Sequence, residues 1–216
     1  MFHVKQHKSA SPKIAGPEYL RSSIELFKNN KEQLQEYIDL LLWWNQKINL
    51  VSRNVSRETL REHVIHSLLP AAMGLLNSSD CIVDAGTGGG LPGIPLSIIY
   101  PEKRFILNDI VAKKTMAVKQ IARDLNLSNA EVQSCSVEKI DPKCPFLIVT
   151  KHAFEIASLY RMVKNKQVKE IVFYKGCSDA ISEINKVKHL SSDLHSFQFG
   201  EKYKFYADKC IAVVKC

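Results

Sequence analysis

Two carboxylates and a run of glycines stand where a ligand can be held. Cys81-Ile82-Val83-Asp84 reads as an apolar strand ending in an acid, and it leads directly into Ala85-Gly86-Thr87-Gly88-Gly89-Gly90-Leu91-Pro92-Gly93. Glycine admits positive φ and lets the backbone approach a ligand with no Cβ in the way, while Pro92 suits the first turn of a helix, where its missing N–H costs nothing. One stretch therefore supplies strand, cradle and helix start. A second acid ends Arg104-Phe105-Ile106-Leu107-Asn108-Asp109, and Asp109 lies nineteen residues beyond Gly90 (109 − 90), about the separation at which open α/β folds place a ribose-binding carboxylate. Asp84, Gly86, Gly88, Gly90 and Asp109 thus predict a site for an adenosine-containing cofactor.

The frame of the glycines separates the candidates. Read as G-x-G-x-x-G, the set Gly88, Gly90, Gly93 begins four residues beyond Asp84, whereas the dinucleotide fingerprint opens immediately after its strand. In the frame starting at Gly86, Leu91 occupies the place of the third glycine. A helix N-terminus favours anions, so an acid just before the turn fits a pyrophosphate poorly and a cationic amine and sulfonium well. This favours S-adenosyl-L-methionine over NAD. An NAD-dependent oxidoreductase, and a glycine turn that holds no ligand, remain as alternatives.

The scaffold behind these residues is bounded by composition. With 216 residues, 45% of them hydrophobic, the chain can bury one substantial core. The longest apolar candidate for a membrane span, residues 38–44, contains Asp39 and is too short, and the first eight residues hold no apolar signal core, so a cytoplasmic protein is expected. Six cysteines show no C-x-x-C pair and no histidine spacing typical of zinc, so reduced thiols, no disulfide and no metal are expected. A formal net charge of +8 and a pI near 9.1 suit a polyanionic partner.

Along the chain, residues 1–16 read as a flexible basic arm, and residues 17–216 as a single domain: helices over 17–76, then an α/β core over 80–216. Leu34, Tyr37, Ile38, Leu41, Leu42 and Ile48 recur at helical spacing from Asn30 to about Asn49, and a second helix follows the Ser56 cap. Beyond the glycine turn, strands at 105–108, 131–134, 146–150 and 171–174 alternate with helices, which is the pattern of a doubly wound parallel sheet, and 197–199 with 210–214 are expected as an antiparallel end. Trp43 and Trp44 are read as core, Asn49 as a helix end cap and His63 as a structural residue. Lys175 follows the fifth strand at the carboxyl edge of the sheet, where ligands of open α/β folds bind, and is a candidate RNA contact.

Three motifs taken together resemble a known family. Trp44-Asn45-x-x-x-Asn49-Leu50, His63-x-x-x-Ser67 and Asp84-x-Gly-Thr-Gly-x-Gly-Leu-Pro-Gly-Ile-Pro-Leu96 are similar to the bacterial 16S ribosomal RNA guanine-N7 methyltransferases, the glucose-inhibited division protein B family. The resemblance runs from about Leu34 to Gly176 and implies a Rossmann-like class I methyltransferase using S-adenosyl-L-methionine. It implies 16S ribosomal RNA or the small ribosomal subunit as partner, with no membrane and no DNA, and a monomer is expected. By position, Gly86 and Leu91 would line the methionine side of the cofactor, Asp109 would take the ribose hydroxyls, and Val137 and Glu138 would meet the adenine. His152 stands where the family has arginine in a T/S-x-R-A pattern, and His66 where it favours Asp, with Lys151 placed to substitute for the lost arginine. Lys151, His152 and Lys175 are the candidates for positioning RNA, and His152 is a candidate for binding the cofactor as well. A cofactor-binding but catalytically weak RNA-binding protein is the second reading, motivated by His152 and His66.

Overall fold

The computed structural model describes residues 11–187 and 190–216. Strand β1 (Lys13–Ala15) precedes four helices, α1 (Pro17–Asn29), α2 (Lys31–Asn45), α3 (Arg57–Ser67) and α4 (Leu69–Ala72). The α/β part then runs β2 (Cys81–Ala85), α5 (Gly93–Ile99), β3 (Arg104–Asp109), α6 (Ala112–Asp124), β4 (Ala130–Ser134), β5 (Phe146–Lys151), α7 (Ile156–Val163), β6 (Val168–Gly176) and α8 (Cys177–Lys186). It ends in β7 (Ser192–Phe197) and β8 (Lys209–Lys215). All eight strands join one sheet in the order β1-β7-β8-β6-β5-β2-β3-β4, with β8 antiparallel to both its neighbours. The expected doubly wound sheet with an antiparallel end is present.

Alternation along each central strand sends side chains to two cores, one on either face of the sheet. Ile82 joins the core under α1, α2, α3, α5 and α6, and its neighbour Val83 joins the core under α7 and α8. The helical layer α1–α4 therefore packs on the same face as α5 and α6. Within it α2 buries Leu34, Tyr37, Ile38 and Leu41, each such side chain contributing about 1.5–3 kcal/mol of transfer free energy. Tyr37 also donates a hydrogen bond to the Gly89 carbonyl at 3.0 Å, which ties α2 to the glycine turn.

Several expectations need correction. Of the arm expected over 1–16, the first ten residues lie outside the described ones, and within the rest Lys13–Ala15 is a strand: it pairs in parallel with β7, and Lys13 meets Asp193 at 2.6 Å. The stripe from Asn30 to Asn49 stops at Asn45, because the Asn45 side-chain oxygen accepts the N–H groups of Leu50 and Val51 and fixes an irregular loop. Trp43 is not core; it is 48% exposed with the Lys47 ammonium 3.3 Å above its ring, while Trp44 is the half-buried one. Cys177 and Cys210 form a disulfide, contrary to the expected reduced thiols. Their separation of 33 residues carries no signal; the antiparallel register opposes Lys175 to Cys210, which brings the Cα atoms of the pair to 5.0 Å.

His66 is fully buried, with neither ring nitrogen hydrogen-bonded, among the rings of Tyr174, Phe197, Phe205 and Tyr206. Burial, then the cations Lys151 and Lys209, push its pKa well below 6.5. The imidazole is therefore neutral in the fold, and the stability this gives is present above pH 6.5 and lost as the pH falls below it. Phenylalanine fits the same aromatic surroundings and has no polar atom to leave unpaired. His66→Phe is expected to raise stability at pH 7 by about 1–3 kcal/mol. The gain should be larger at pH 5; urea melts at both values read it.

Candidate functional site

The glycine turn is built around a buried acid. Asp84 Oδ2 accepts from Thr87 Oγ1 at 2.6 Å and from the Gly93 N–H at 2.9 Å, so one carboxylate oxygen fixes both ends of the loop and the start of α5. Its other oxygen is buried without a partner, and burial raises the pKa to about 7 against the lowering effect of those two hydrogen bonds. Asp109 performs the matching task on the next strand: Oδ2 accepts the Gly88 N–H at 3.1 Å and Oδ1 the Val111 N–H at 2.9 Å. Gly86 has φ +72°, and a Cβ there would lie 2.5 Å from Ala153 Cβ, so only glycine leaves the cradle open.

Two cavities open above the carboxyl ends of the strands. The larger, about 620 Å³, has Asp109 on its wall together with the apolar side chains of Ile110, Val137, Phe154 and Met162. The smaller, about 370 Å³, runs under the loop fixed by Asn45 and is walled by Val51, Val55, His63 and Leu91. Leu50, Gly86, Gly88, Lys151 and His152 line both, so the cavities meet in one two-lobed cleft.

The junction is cationic and crowded. Lys151 donates to the His63 carbonyl at 3.0 Å and to Ser67 Oγ at 3.3 Å, which places its amine against the C-terminal turn of α3. Burial, then repulsion by Lys209, lowers its pKa to about 7, while Asp84 acts in the opposite sense. Burial and the neighbouring Lys151, Lys209 and His152 bring His63 down to about 3. His152 is exposed at the surface, and partial desolvation, then Lys151 and Lys209, lower its pKa to about 4. Its φ of +56° turns the chain sharply after β5.

The expected site residues divide into three groups. Gly86, Gly88, Lys151 and His152 line both lobes, Asp109 and Val137 the larger only, and Leu91 the smaller only. Asp84 and Gly90 lie beneath the turn: Gly90 has φ +97°, and a Cβ there would meet Ile94 at 2.6 Å. Glu138 and Lys175 line neither lobe. Glu138 is exposed and closes a local turn with Ser136. Lys175 is only 8% exposed and holds Glu183 at 2.7 Å, so its charge is already compensated. Ile110, Phe154 and Met162 were not foreseen; the first directly follows the ribose-type acid, which was the one available hint.

The comparisons with known proteins agree with this geometry. A family model described as rRNA small subunit methyltransferase G matches residues 30–202. The chain belongs to this family. Among relatives named ribosomal RNA small subunit methyltransferase G, that of Chlorobaculum tepidum is 32% identical over 202 residues, covering 89% of this chain and 92% of its own. That of Chlorobium limicola is 36% identical over 148 residues, 67% of each chain. Solved structures share the fold: an O-methyltransferase from Bacillus cereus in complex with S-adenosylhomocysteine superposes with TM-score 0.55 at 15% identity, covering 83% of this chain and 90% of that one. A magnesium protoporphyrin IX methyltransferase from Synechocystis with bound S-adenosylmethionine gives 0.53 at 13%, covering 76% and 85%. A member of the small subunit methyltransferase G family is an enzyme with S-adenosyl-L-methionine as cofactor. The residues fit that group: a carboxylate with free lone pairs faces the larger lobe beside apolar walls, and the glycine cradle admits no Cβ. No helix among the described residues is long and apolar enough to cross a membrane.

Proposed function

We propose that the chain transfers a methyl group from S-adenosylmethionine to N7 of a guanine in 16S ribosomal RNA, free or in the small ribosomal subunit. The observation that carries this reading is the two-lobed cleft, in which a cofactor-sized lobe and a base-sized lobe meet at Gly86, Gly88, Lys151 and His152. In the larger lobe Asp109 takes the ribose hydroxyls, and Val137, Ile110 and Phe154 enclose the adenine. Gly86 and Leu91 border the methionine end. Bound cofactor supplies an electrophilic sulfonium methyl.

N7 of guanine has a lone pair and no proton to lose, so the acceptor needs alignment and exclusion of water rather than a general base. The smaller lobe is compatible with this: His63 and His152, lowered to about 3 and about 4, are neutral across the working range, and an imidazole N–H can donate to an electronegative base edge without any proton being removed. With its charge compensated by Glu183, Lys175 acts by supporting β6 and α8 instead of touching RNA.

Two measurements test the reading. Mapping N7-methylguanosine in 16S ribosomal RNA with and without the protein is expected to reveal one modified guanine that depends on it, and an unchanged map overturns the proposal. The net charge of +8 predicts salt-sensitive RNA binding, and removing one phosphate-contacting lysine lowers the slope of log affinity against log salt by about 0.7–0.9. Lys175→Ala is expected to leave that slope unchanged.

A further inference from the structure

Lys151 is the titratable lysine that both lobes share, at the junction where, on the proposed reading, methyl donor and acceptor meet. Two hydrogen bonds to the end of α3 hold its amine at the junction. The groups set around it are His63 and His66 of α3, His152 after β5, and Lys209 of β8. Tyr174 of β6 presents its ring 5.9 Å away, and Lys175 of the same strand is paired with Glu183. The carboxylate acting on the amine is Asp84 of β2, with Asp109 of β3 on the wall of the larger lobe.

S-adenosylmethionine carries a sulfonium cation, and its product S-adenosylhomocysteine carries a neutral thioether. An ammonium in the same cleft opposes the first and is indifferent to the second. Resting on the methyl-transfer reading above, we infer that Lys151 sets the preference of the cleft between cofactor and product: the neutral amine admits the sulfonium, and the ammonium favours the thioether. On cofactor entry an N–H bond of the ammonium breaks, its electron pair stays on Nζ, and the proton leaves to the buffer. After transfer the thioether no longer opposes reprotonation.

The charge balance makes this exchange accessible near neutrality. Burial has already lowered Lys151 to about 7, whereas His63 at about 3 and His152 at about 4 stay neutral between pH 6 and 8. Asp84, raised to about 7, titrates in the same window and also favours a cation as the pH rises. The test must therefore separate the two groups.

Calorimetric titrations of the whole chain with S-adenosylmethionine and with S-adenosylhomocysteine, at pH 6 and 8 in buffers of different ionisation heat, do so. The sulfonium ligand is expected to bind about tenfold more tightly at pH 8, as the neutral fraction of Lys151 rises from roughly 0.1 to 0.9, with proton release. The thioether should stay within about twofold, with none. Lys151→Met should bind the sulfonium ligand equally at both pH values. Equal pH dependence for both ligands overturns the inference, and so does a dependence that survives in Lys151→Met, which assigns it to Asp84. Should Lys151→Met bind neither ligand, Lys151→Arg decides, because its charge does not titrate in this range: a pH dependence of sulfonium binding that survives in it belongs to Asp84 and overturns the inference. If the wild-type chain binds neither, the methyl-transfer reading itself falls.

Discussion

Asp109→Ala is expected to weaken S-adenosylmethionine binding by about 10- to 150-fold. In the proposed site the change removes the hydrogen bonds that a charged acceptor would make to the ribose, worth about 1.5–3 kcal/mol. The same carboxylate accepts the N–H groups of Gly88 and Val111, so its loss also frees the glycine turn and the entry to α6. Asp109→Asn removes less, because it retains one of the two acceptors while losing the negative charge and the other. It should fall between wild type and alanine in calorimetry. Wild-type affinity in Asp109→Ala removes Asp109 from the site.

Gly86→Ala is the second change of large expected effect. At φ +72° a Cβ is disfavoured by about 1–2 kcal/mol, and here it would also lie 2.5 Å from Ala153 and 3.2 Å from the Phe154 ring. The segment carrying Lys151, His152 and Phe154 must then move, and with it the wall shared by both lobes. A misplacement of about 1 Å at the reacting atoms is worth roughly 100-fold in rate. The variant is expected to remain cooperatively folded while turnover falls by about that factor. Turnover equal to wild type, read by radiolabelled methyl transfer, shows that Gly86 is no part of the wall.

What the sequence revealed depended on how locally each feature is encoded. Asp84, the glycine turn and Asp109 were legible because strand, acid and glycine follow one another in the chain and each residue type has few other uses in that order. Lys175 was misleading for the opposite reason. Its position at the carboxyl end of β6 reads as a ligand-binding edge, but Glu183, which compensates it, lies eight residues on in α8 and is brought near only by packing. Ile110, Phe154 and Met162 are apolar residues in three separate connections or helices, and nothing in their spacing marks a common wall. The same holds for Cys177 and Cys210, whose proximity belongs to the register of β6 and β8.

β1 has a role that concerns solubility rather than the cleft. Without it the sheet would finish at β7, leaving a row of free N–H and C=O groups on a strand that pairs with β8 alone. Such a row can template pairing with another copy of the chain. At the opposite edge β4 carries Glu131, held by Arg104 at 3.0 Å, a charged rim that discourages docking. The β7 rim has Lys13–Ala15 as its cover, a clip of three residues latched by Lys13 and Asp193. Proteolytic trimming through residue 15 would leave every cleft residue in place and still produce a chain that self-associates edge to edge as its concentration rises.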